Sequence, residues 1–473
     1  MPYDRPSIAA ALTLGAAALF AAGALAGDII EHQKLLAGDG ETPDQFGASV
    51  DSHNGLLIVG AKYGNFDFVL DCGAAYVWKR VSATEWEEEA KLNAPDAATN
   101  DVFGIASALG DDVALVGAYH DDVKAGNDRA GSVYSFTRAM DGTWSFHQKF
   151  FANNAFGGET FGASIAIDAD AAIIGAPAFI EDDKAGAAQI FRRDMTGDWI
   201  HEQTLIPPDT QPNDLFGWSV DMQGDTAVVG AWFNDSMQGA IYVFTRDAMT
   251  GLWSAGQKIT PDTRIPNERF GWAVSIFDDA ILVGATQEST TDTGAAYIFR
   301  ADGAGGWTQE ARLVGAEATA RNQVGRAVEL RGDFALVGSI ELGQFPTPGG
   351  PGSVYVFQHS AGVWTQTNRI QASDGQADDQ FGGAIAIDDD LLVVGAMTED
   401  EFGFAAGAAY VFDTHHAFCP TDLNDDFIID TADLGLLLAA FGGMDPAADI
   451  NGDGIVDTAD LGLLLAAFGS ICD

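Results

Sequence analysis

Two short sequence signatures recur seven times along the chain at a fixed separation. A Phe-Gly pair (Val-Gly in the sixth copy) is followed 14 residues later by a Gly-Ala pair (Gly-Ser in the sixth), and successive copies begin 54 to 58 residues apart. A period of about 50 residues with strand-like composition is typical of a propeller or similar array, because one unit cannot bury its apolar face without a neighbour. The first signatures begin at Phe46, Phe103, Phe161, Phe216, Phe270, Val324 and Phe381, and the second at Gly60, Gly117, Gly175, Gly230, Gly284, Gly338 and Gly395.

The sequence of one copy predicts four strands. In the fourth copy, 216–222 alternates apolar and polar residues as a half-buried strand does, and 226–231 is a short apolar run suited to a strand covered on both faces. The segment 239–246 is rich in β-branched and aromatic residues, and Trp253 opens a fourth strand over 253–259. Each copy therefore predicts one four-stranded sheet.

The seventh copy lacks its fourth strand. Its third strand ends at Phe412 and no tryptophan strand follows, whereas 29–36 near the N-terminus resembles fourth strands such as 146–151. An N-terminal strand that completes the last sheet would close the ring and leave only short, protected edges. The sequence therefore predicts an all-β, seven-bladed β-propeller over residues 28–413, closed by its N-terminal strand.

These signatures resemble FG-GAP repeats, the blade type of the integrin α-subunit propeller and of many bacterial extracellular proteins. The resemblance implies the propeller fold and leaves the ligand open. Integrin-like blades often carry Asp-x-Asp-x-Asp calcium loops, whereas the first turns here, such as 109–112 and 331–333, are short and lack that ligand series. No calcium site is therefore expected in the propeller.

The C-terminal segment contains a second, independent duplication. Residues 422–442 resemble 449–469, and twelve residues, 431–442 and 458–469, are identical in the two copies. Each copy opens with oxygen-bearing side chains at positions 1, 3, 5, 9 and 12 of an EF-hand-type loop, the spacing that suits a hard cation such as Ca²⁺. Acidic turns without a metal are the alternative. The predicted ligands are Asp422, Asn424, Asp426, Asp430 and Asp433 in the first loop and Asp449, Asn451, Asp453, Asp457 and Asp460 in the second, with the position-7 carbonyls of Ile428 and Ile455.

A helix should follow each loop. Segments 432–441 and 459–468 are nearly continuously apolar, which predicts two helices buried against each other. Loops and helices together resemble a type I dockerin, which has aspartate at position 12. The resemblance implies a small all-α, EF-hand-like module over 422–473 that binds a cohesin-like domain or a cell-surface component. Binding would use the helices and loop positions 10 and 11, which are Thr431, Ala432, Thr458 and Ala459.

The first loop departs from this pattern at position 6. It has Phe427 where the second loop has Gly454, and glycine is preferred at that sharp turn. We therefore expect two calcium sites, of which the first is the weaker.

The N-terminus has the features of a secretion signal. Arg5 precedes an apolar run over 8–22, and residues 24–26 (Ala-Leu-Ala) have the small-x-small form of a signal peptidase site. A membrane anchor is the alternative, but the run is short for a span. We therefore expect residues 1–26 to be removed and the mature chain to be secreted or held at the cell surface.

Cysteine is scarce, with three in the chain. Cys419 and Cys472 bracket the C-terminal module, which follows a linker over 414–421, so a disulfide between them is predicted in an oxidising compartment. Cys72, in a loop of the first blade, is then either a thiol or an intermolecular link.

Composition narrows the range of partners. Asp and Glu number 69 against 23 Lys and Arg, a formal net charge of −46. Such a charge opposes binding to nucleic acid and to anionic membrane surfaces. Neither a nucleic-acid partner nor a membrane span in the mature chain is expected.

The variable loops should lie on one face of the propeller. Because strand direction alternates, the loops between second and third strands share a face with those between fourth and first strands. Binding residues concentrate on loops over a rigid scaffold, so a protein or carbohydrate ligand is predicted there, with solvated loops and no ligand as the alternative. The second-to-third loops are 62–72, 119–130, 177–185, 232–238, 286–293, 340–351 and 397–406, with aromatic residues Tyr63, Phe66, Tyr119, Phe179, Trp232, Phe233, Phe345 and Phe402.

No catalytic constellation is recognisable in the sequence. The eight histidines are dispersed, and the chain lacks a nucleophile elbow, a phosphate loop, a paired-cysteine metal motif and His-Glu-x-x-His. The sequence therefore favours a non-catalytic interaction protein. A component of an extracellular polysaccharide-degrading system, acting in glycoside hydrolysis or carbohydrate binding, is the alternative that the dockerin resemblance suggests.

Overall fold

The fold consists of seven four-stranded antiparallel sheets, each of which is one blade of the predicted β-propeller. The computed structural model describes residues 29–65, 69–123, 129–153, 157–178, 184–287, 292–343, 347–388, 391–414, 419, 421–424, 428–444, 448–450 and 454–469. First strands of adjacent blades contact one another in an unbroken circle, so they lie innermost, around the axis.

Each blade is built from four consecutive strands, except the last. Blade 1 comprises β2 (Phe46–His53), β3 (Leu56–Ala61), β4 (Ala74–Ser82) and β5 (Glu85–Leu92); blade 2, β6 (Phe103–Gly110), β7 (Val113–Ala118), β8 (Ser132–Arg138) and β9 (Trp144–Phe150); blade 3, β10 (Ser164–Asp168), β11 (Ala171–Ala176), β12 (Ala187–Arg193) and β13 (Trp199–Leu205). Blade 4 comprises β14 (Ser219–Gln223), β15 (Thr226–Ala231), β16 (Ala240–Thr245) and β17 (Gln257–Ile259); blade 5, β18 (Phe270–Phe277), β19 (Ala280–Ala285), β20 (Ala295–Ala301) and β21 (Trp307–Leu313). Blade 6 comprises β22 (Val328–Arg331), β23 (Phe334–Ser339), β24 (Ser353–Ser360) and β25 (Val363–Ile370); blade 7, β26 (Phe381–Asp388), β27 (Leu391–Ala396), β28 (Ala408–Asp413) and β1 (Ile30–Leu35).

The N-terminal strand closes the ring, as the sequence predicts. β1 pairs antiparallel with β28, from Ile30 opposite Asp413 to Leu35 opposite Ala409. Leu35 is fully buried in the core between blades 7 and 1. The chain therefore seals its last blade with its first strand, which removes an open sheet edge.

The recurrent Phe-Gly and Gly-Ala signatures hold neighbouring blades together. The backbone N–H of Phe103 donates to the carbonyl of Cys72 in the preceding blade at 3.0 Å, and the first residue of each signature makes the same bond. A Cβ on Gly60 would lie 2.0 Å from the carbonyl oxygen of Gly104, so only glycine allows this backbone approach. The six other bonds are Phe46 to Ala406, Phe161 to Ala130, Phe216 to Ala185, Phe270 to Gln238, Val324 to Thr293 and Phe381 to Pro351.

A buried carboxyl group precedes six of the seven first signatures by two residues. In blade 2, Asp101 is 5% exposed and its Oδ2 accepts a 2.6 Å hydrogen bond from the backbone N–H of Ala98. The bond orders the turn that leads into the first strand. The other buried acids are Asp44, Glu159, Asp214, Glu268 and Asp379, and blade 6 has Asn322 at this position.

We expect the propeller to be more heat-stable at about pH 5 than at about pH 7.5. Burial raises the pKa of Asp44, Asp101 and Asp379 to about 6. The folded state therefore binds protons more tightly than the unfolded chain, and this stabilisation, complete below the ordinary aspartate pKa, is lost as the pH rises through about 6.

Replacing one of these acids by the residue that blade 6 already uses gives a matched test. Asp101→Asn should raise the melting temperature at about pH 7.5 and weaken its pH dependence, because the amide oxygen can still accept the Ala98 bond without carrying a charge. Circular dichroism melts at both pH values provide the measurement. A melting temperature that falls between about pH 7.5 and about pH 5 would contradict the account.

Two helices follow the duplicated C-terminal loops. They are α2 (Thr431–Ala440) and α3 (Thr458–Ala467), each one residue earlier than the sequence predicts. A one-turn element, α1 (Asn234–Met237), lies in a loop of blade 4. The C-terminal helices begin with matching capping boxes. The side chain of each N-cap aspartate accepts a hydrogen bond from the backbone N–H three residues later, and the side chain of the aspartate at that position accepts one from the backbone N–H of the N-cap residue.

The predicted burial of the C-terminal helices is confirmed on one stripe of each helix only. Leu437 and Leu464 are fully buried with the loop residues Ile429 and Val456. Other leucines of α2 and α3 are between 40% and 52% exposed, because two ten-residue helices can cover only one face of each other: Leu436, Leu438, Leu463 and Leu465.

Candidate functional site

The mouth of the central channel, on the predicted loop face, collects most of the unusual side chains of the propeller. The residue after each Phe-Gly pair and the residue after each Gly-Ala pair lie at the inner ends of these loops. In four copies the residue after Phe-Gly is Ala48, Ile105, Ala163 or Gly383, whereas copies four, five and six have Trp218, Trp272 and Arg326. Blades 4 to 6 therefore make one side of the mouth aromatic and basic.

Three tryptophans pack together at this mouth. The ring centroids of Trp218, Trp232 and Trp272 are separated by 5.0 to 5.6 Å, and all three side chains are half-buried. Phe233 extends the cluster, with its ring centroid 5.3 Å from that of Trp232. The cluster offers rigid aromatic surface that remains partly accessible to solvent.

Two arginines stack on the tryptophans and a lysine faces them. The guanidinium of Arg269 lies 5.1 Å from the ring centroid of Trp232, and that of Arg326 lies 4.8 Å from Trp272. Lys62, from blade 1, has its Nζ 3.8 Å from Met397 Sδ of blade 7 and is repelled electrostatically by Arg326 of blade 6. Such an interaction between blades 1 and 6 places both cations beside the axis.

These three cations are electrostatically unfavourable in the absence of an anion. Burial, reinforced by Arg269, lowers the pKa of Arg326 to about 10, and burial with Arg326 lowers that of Lys62 to about 8. Burial also lowers the pKa of Arg269, partly offset by the more distant Asp292. Among the residues that the structure describes, none of the three forms a salt bridge, although the chain has 69 acidic residues.

Other cations of the propeller are used differently. In six blades a Lys or Arg of the fourth strand lies 5.1 to 5.9 Å over a tyrosine ring of the third strand. Lys91 over Tyr76 is typical, and its Nζ pairs with Asp39 at 2.7 Å. Outside the mouth, therefore, cations that pack on aromatic rings can also form salt bridges with acidic side chains.

Below the mouth, the channel carries acidic side chains. Asp51 Oδ2 accepts a 2.7 Å hydrogen bond from the backbone N–H of Leu109, and Asp221 Oδ2 accepts one of 2.7 Å from that of Ile276. Each acid is therefore hydrogen-bonded to the first strand of the next blade. Burial raises the pKa of Asp51 to about 6 and that of Asp221 to about 7, and their mutual repulsion across the ring adds to the rise for Asp221.

The predicted loop-face aromatics are only partly accounted for. Tyr63 and Tyr119 are half-buried, and Phe402 is 53% exposed. Phe66, Phe179 and Phe345 lie outside the described residues. The sequence analysis identified Trp232 and Phe233 but missed the two other tryptophans and both arginines, because these lie in or before predicted first strands.

In the C-terminal loops, the predicted metal ligands at positions 1, 9 and 12 differ in burial and in hydrogen bonding. Asp422, Asp433 and Asp460 are fully buried. Asp449 Oδ2 accepts a 2.6 Å hydrogen bond from the backbone N–H of Gly454. The N-cap residues are Asp430 and Asp457, whose Oδ1 atoms accept bonds from Ala432 and Ala459 at 2.6 and 2.7 Å.

The remaining predicted loop residues are less completely described. Ile428 and Ile455 are exposed, as are the position-10 and position-11 residues, Thr431, Ala432, Thr458 and Ala459. Asn424 is among the described residues, whereas Asp426, Asn451 and Asp453 lie outside them.

The two loop-helix units are joined symmetrically. The N–H of Gly442, after α2, donates to the carbonyl of Val456 at 2.8 Å, and that of Gly469, after α3, donates to Ile429 at 2.7 Å. Residues 419–473 contain no Lys, Arg or His. The buried carboxylates therefore lie in a segment that supplies no cationic side chain of its own. Such carboxylates are a donor set suited to Ca²⁺.

The structure describes two of the three cysteines. Cys419 is disulfide-bonded, and Cys72 is a fully buried thiol whose Sγ lies 3.6 Å from the carbonyl oxygen of Gly64. Cys472 and residues 1–26, the predicted signal segment, lie outside the described residues.

One further acidic cluster falls outside both sites. Within the described residues, Asp374, Glu399 and Glu401 bring three carboxylates together. Lys34 of β1 sits among them, with its Nζ 2.7, 3.0 and 2.8 Å from their oxygens. The cluster therefore holds the closing strand in place instead of forming a vacant metal site.

Comparison with protein-family models identifies the repeat. The FG-GAP repeat model matches seven segments: 30–78, 86–136, 144–191, 199–244, 253–299, 307–357 and 364–412. The chain belongs to the FG-GAP repeat family. Each FG-GAP segment starts on or just before the fourth strand of one blade and ends on the third strand of the next, so the family repeat spans the boundary between two blades.

The other comparisons add two facts. No curated protein matches the chain at a significant level. Of the helices that the structure describes, none combines the length and hydrophobicity that a bilayer span requires.

Proposed function

We propose that this FG-GAP protein is a secreted or surface-held, non-catalytic interaction protein, with the loop face of the propeller as its binding platform. The observation that carries the proposal is the half-buried cluster at the channel mouth, where tryptophans lie beside cations that form no salt bridge with any residue the structure describes. Aromatic and Arg side chains dominate binding hot spots, and a closed ring of seven blades holds them rigidly. FG-GAP propellers are suited to binding protein ligands, and the mouth is the part of this face best equipped to bind.

We propose further that the C-terminal loops and helices form a calcium-binding, dockerin-like module that attaches the chain to a cohesin-like domain or a surface component. Buried Asp422, Asp433 and Asp460, in a segment without a basic residue, support a cation site. Bound calcium would neutralise carboxylates that otherwise repel one another. The exposed leucines of α2 and α3 give the module an apolar face that a partner can cover.

Calcium-dependent binding to type I cohesin domains tests the attachment role. We expect the full chain to bind at least one member of a cohesin panel in calcium and to lose that binding in chelator. Replacing Thr431, Ala432, Thr458 and Ala459 together by Arg should abolish binding, because these exposed residues lie at the start of both helices. Replacing exposed Thr308 and Thr365 of the propeller is the matched control. Equal binding with and without calcium, or by the quadruple variant, would exclude this role.

The non-catalytic proposal has a separate test. The mouth contains tryptophans, arginines and a lysine, which are binding groups, and the channel acids Asp51 and Asp221 accept hydrogen bonds from backbone N–H groups. We therefore expect no release of reducing ends from plant or bacterial polysaccharides by the purified chain. Hydrolysis that persists in the purified protein would favour the alternative, a polysaccharide-degrading component.

A further inference from the structure

The channel mouth contains more positive charge than its surroundings explain. Arg269, Arg326 and Lys62 converge there without a salt bridge in the described residues, within a chain of net charge −46. The buried Nε of Arg269 and Nε1 of Trp232 have no hydrogen-bond partner among the described residues. A buried hydrogen-bond donor without an acceptor costs free energy. The donors and the positive charge together therefore favour binding of an anionic ligand that accepts hydrogen bonds.

The geometry also limits the size and charge of that ligand. Carboxylates such as Asp51 and Asp221 occupy the channel below the mouth, so an anion is held at the entrance and repelled from the interior. The strongly negative protein would likewise repel a polyanion. A single anionic group on an otherwise neutral molecule fits both conditions.

The tryptophans indicate what carries the anionic group. Three indole rings within 5.6 Å of one another present broad apolar faces beside the guanidinium groups. The C–H faces of a pyranose ring pack on such surfaces, while a carboxylate on the same ring can accept paired hydrogen bonds from an arginine. An extended acidic peptide offers the carboxylate without the rigid C–H face of a pyranose ring.

We propose that the channel mouth binds an acidic sugar, a hexuronate residue at an end or branch of a mainly neutral glycan. This deepens the proposed function, since it names the ligand class of the propeller face on which that function rests. Arg326 and Arg269 bind the carboxylate, Lys62 adds long-range attraction, and Trp272 and Trp218 contact the sugar ring.

The test uses the full chain and methyl β-glucuronide, followed by tryptophan fluorescence and calorimetry. We expect binding of the glucuronide to be at least about 10-fold tighter than that of methyl β-glucoside, since only the former provides the carboxylate. Arg326→Gln should weaken glucuronide binding by about 10-fold or more without changing the weak glucoside binding. Lys62→Gln, from the opposite side of the mouth, is the second variant if the first does not fold.

Arg80→Gln is the matched control. Arg80 also stacks on a tryptophan, 5.2 Å from the ring centroid of Trp86, but lies on blade 1 away from the mouth. We expect it to bind glucuronide as the unchanged chain does. A loss in Arg80→Gln equal to that in Arg326→Gln would overturn the assignment of the site.

Three further outcomes separate this proposal from the general binding role. Equal affinity for glucoside and glucuronide would overturn the anionic ligand. Equal or tighter binding of a blocked Gly-Glu-Gly peptide would overturn the sugar and make the ligand an acidic peptide. Binding of none of these probes, together with a protein partner whose binding is unaffected by Arg326→Gln, would overturn the proposal and leave the propeller as a platform for other ligands.

Discussion

Removing residues 28–37 should leave a propeller that aggregates or melts roughly 10 °C lower than the full chain. The deletion takes away β1, so the edge of β28 (Ala408–Asp413) loses its partner and becomes a template for other chains. It also removes fully buried Leu35, which contributes about 2 kcal/mol of burial. Lys34 is lost with it, which leaves Asp374, Glu399 and Glu401 to repel one another.

Removal of residues 1–28 alone is the matched control, because it leaves β1 intact. Size-exclusion chromatography and a thermal melt give the comparison, and a synthetic peptide of residues 28–37 should partly restore the melting temperature. A deletion variant that stays monomeric and melts with the full chain would show that β1 does not close the ring energetically.

Removing calcium should unfold the C-terminal helix pair and leave the propeller intact. Five aspartates crowd into residues 422–433 and four into 449–460, and no basic side chain occurs in 419–473. Without a cation, the loop carboxylates, among them the buried Asp422, Asp433 and Asp460, would repel one another, and the small core around Leu437 and Leu464 would have to oppose that repulsion. We therefore expect metal binding and folding to be coupled.

Limited proteolysis of the full chain measures this directly. In chelator, cleavage should fall within 422–469, while a fragment spanning the propeller resists. Asp449→Ala with Asp453→Ala should give the same pattern in calcium. The matched pair, Asp422→Ala with Asp426→Ala, should have a smaller effect, because the first loop has Phe427 where glycine is preferred and is expected to be the weaker site. A helix pair that resists protease in chelator, with no heat on adding calcium, would exclude the metal sites.

The sequence was sufficient for the propeller because its constraints repeat. A single Phe-Gly pair has little predictive value, but seven copies spaced 14 residues from Gly-Ala require the same backbone approach at every blade boundary. The missing strand after Phe412 and the surplus strand at Ile30 then determined the closure. Repetition turned weak local signals into a specific architecture.

The binding residues of the channel mouth were not predicted, for the opposite reason. They occur where individual copies depart from the repeat. Trp218, Trp272 and Arg326 occupy one position in three neighbouring copies, where other copies have smaller or aliphatic residues. Read singly, each looks like an ordinary strand residue. Aligning the copies column by column would have found them, and only the ring brings that column together with Lys62 from blade 1.

The C-terminal helices show a different limit. Continuous apolar sequence such as Leu436-Leu437-Leu438 cannot reveal which face is buried, because every face looks apolar. The structure buries Leu437 and exposes its neighbours. Sequence therefore predicted the helices but overestimated their burial.

Hydrogen–deuterium exchange of the full chain tests the central claim, that attachment and ligand binding reside in separate parts of one interaction protein. Exchange is followed without calcium, with calcium, and with calcium plus methyl β-glucuronide. We predict that calcium slows exchange only within 422–469, and that the glucuronide then slows it only around Arg269, Trp272 and Arg326. Protection of the propeller strands by calcium, or no protection at the mouth by the glucuronide, would contradict the account.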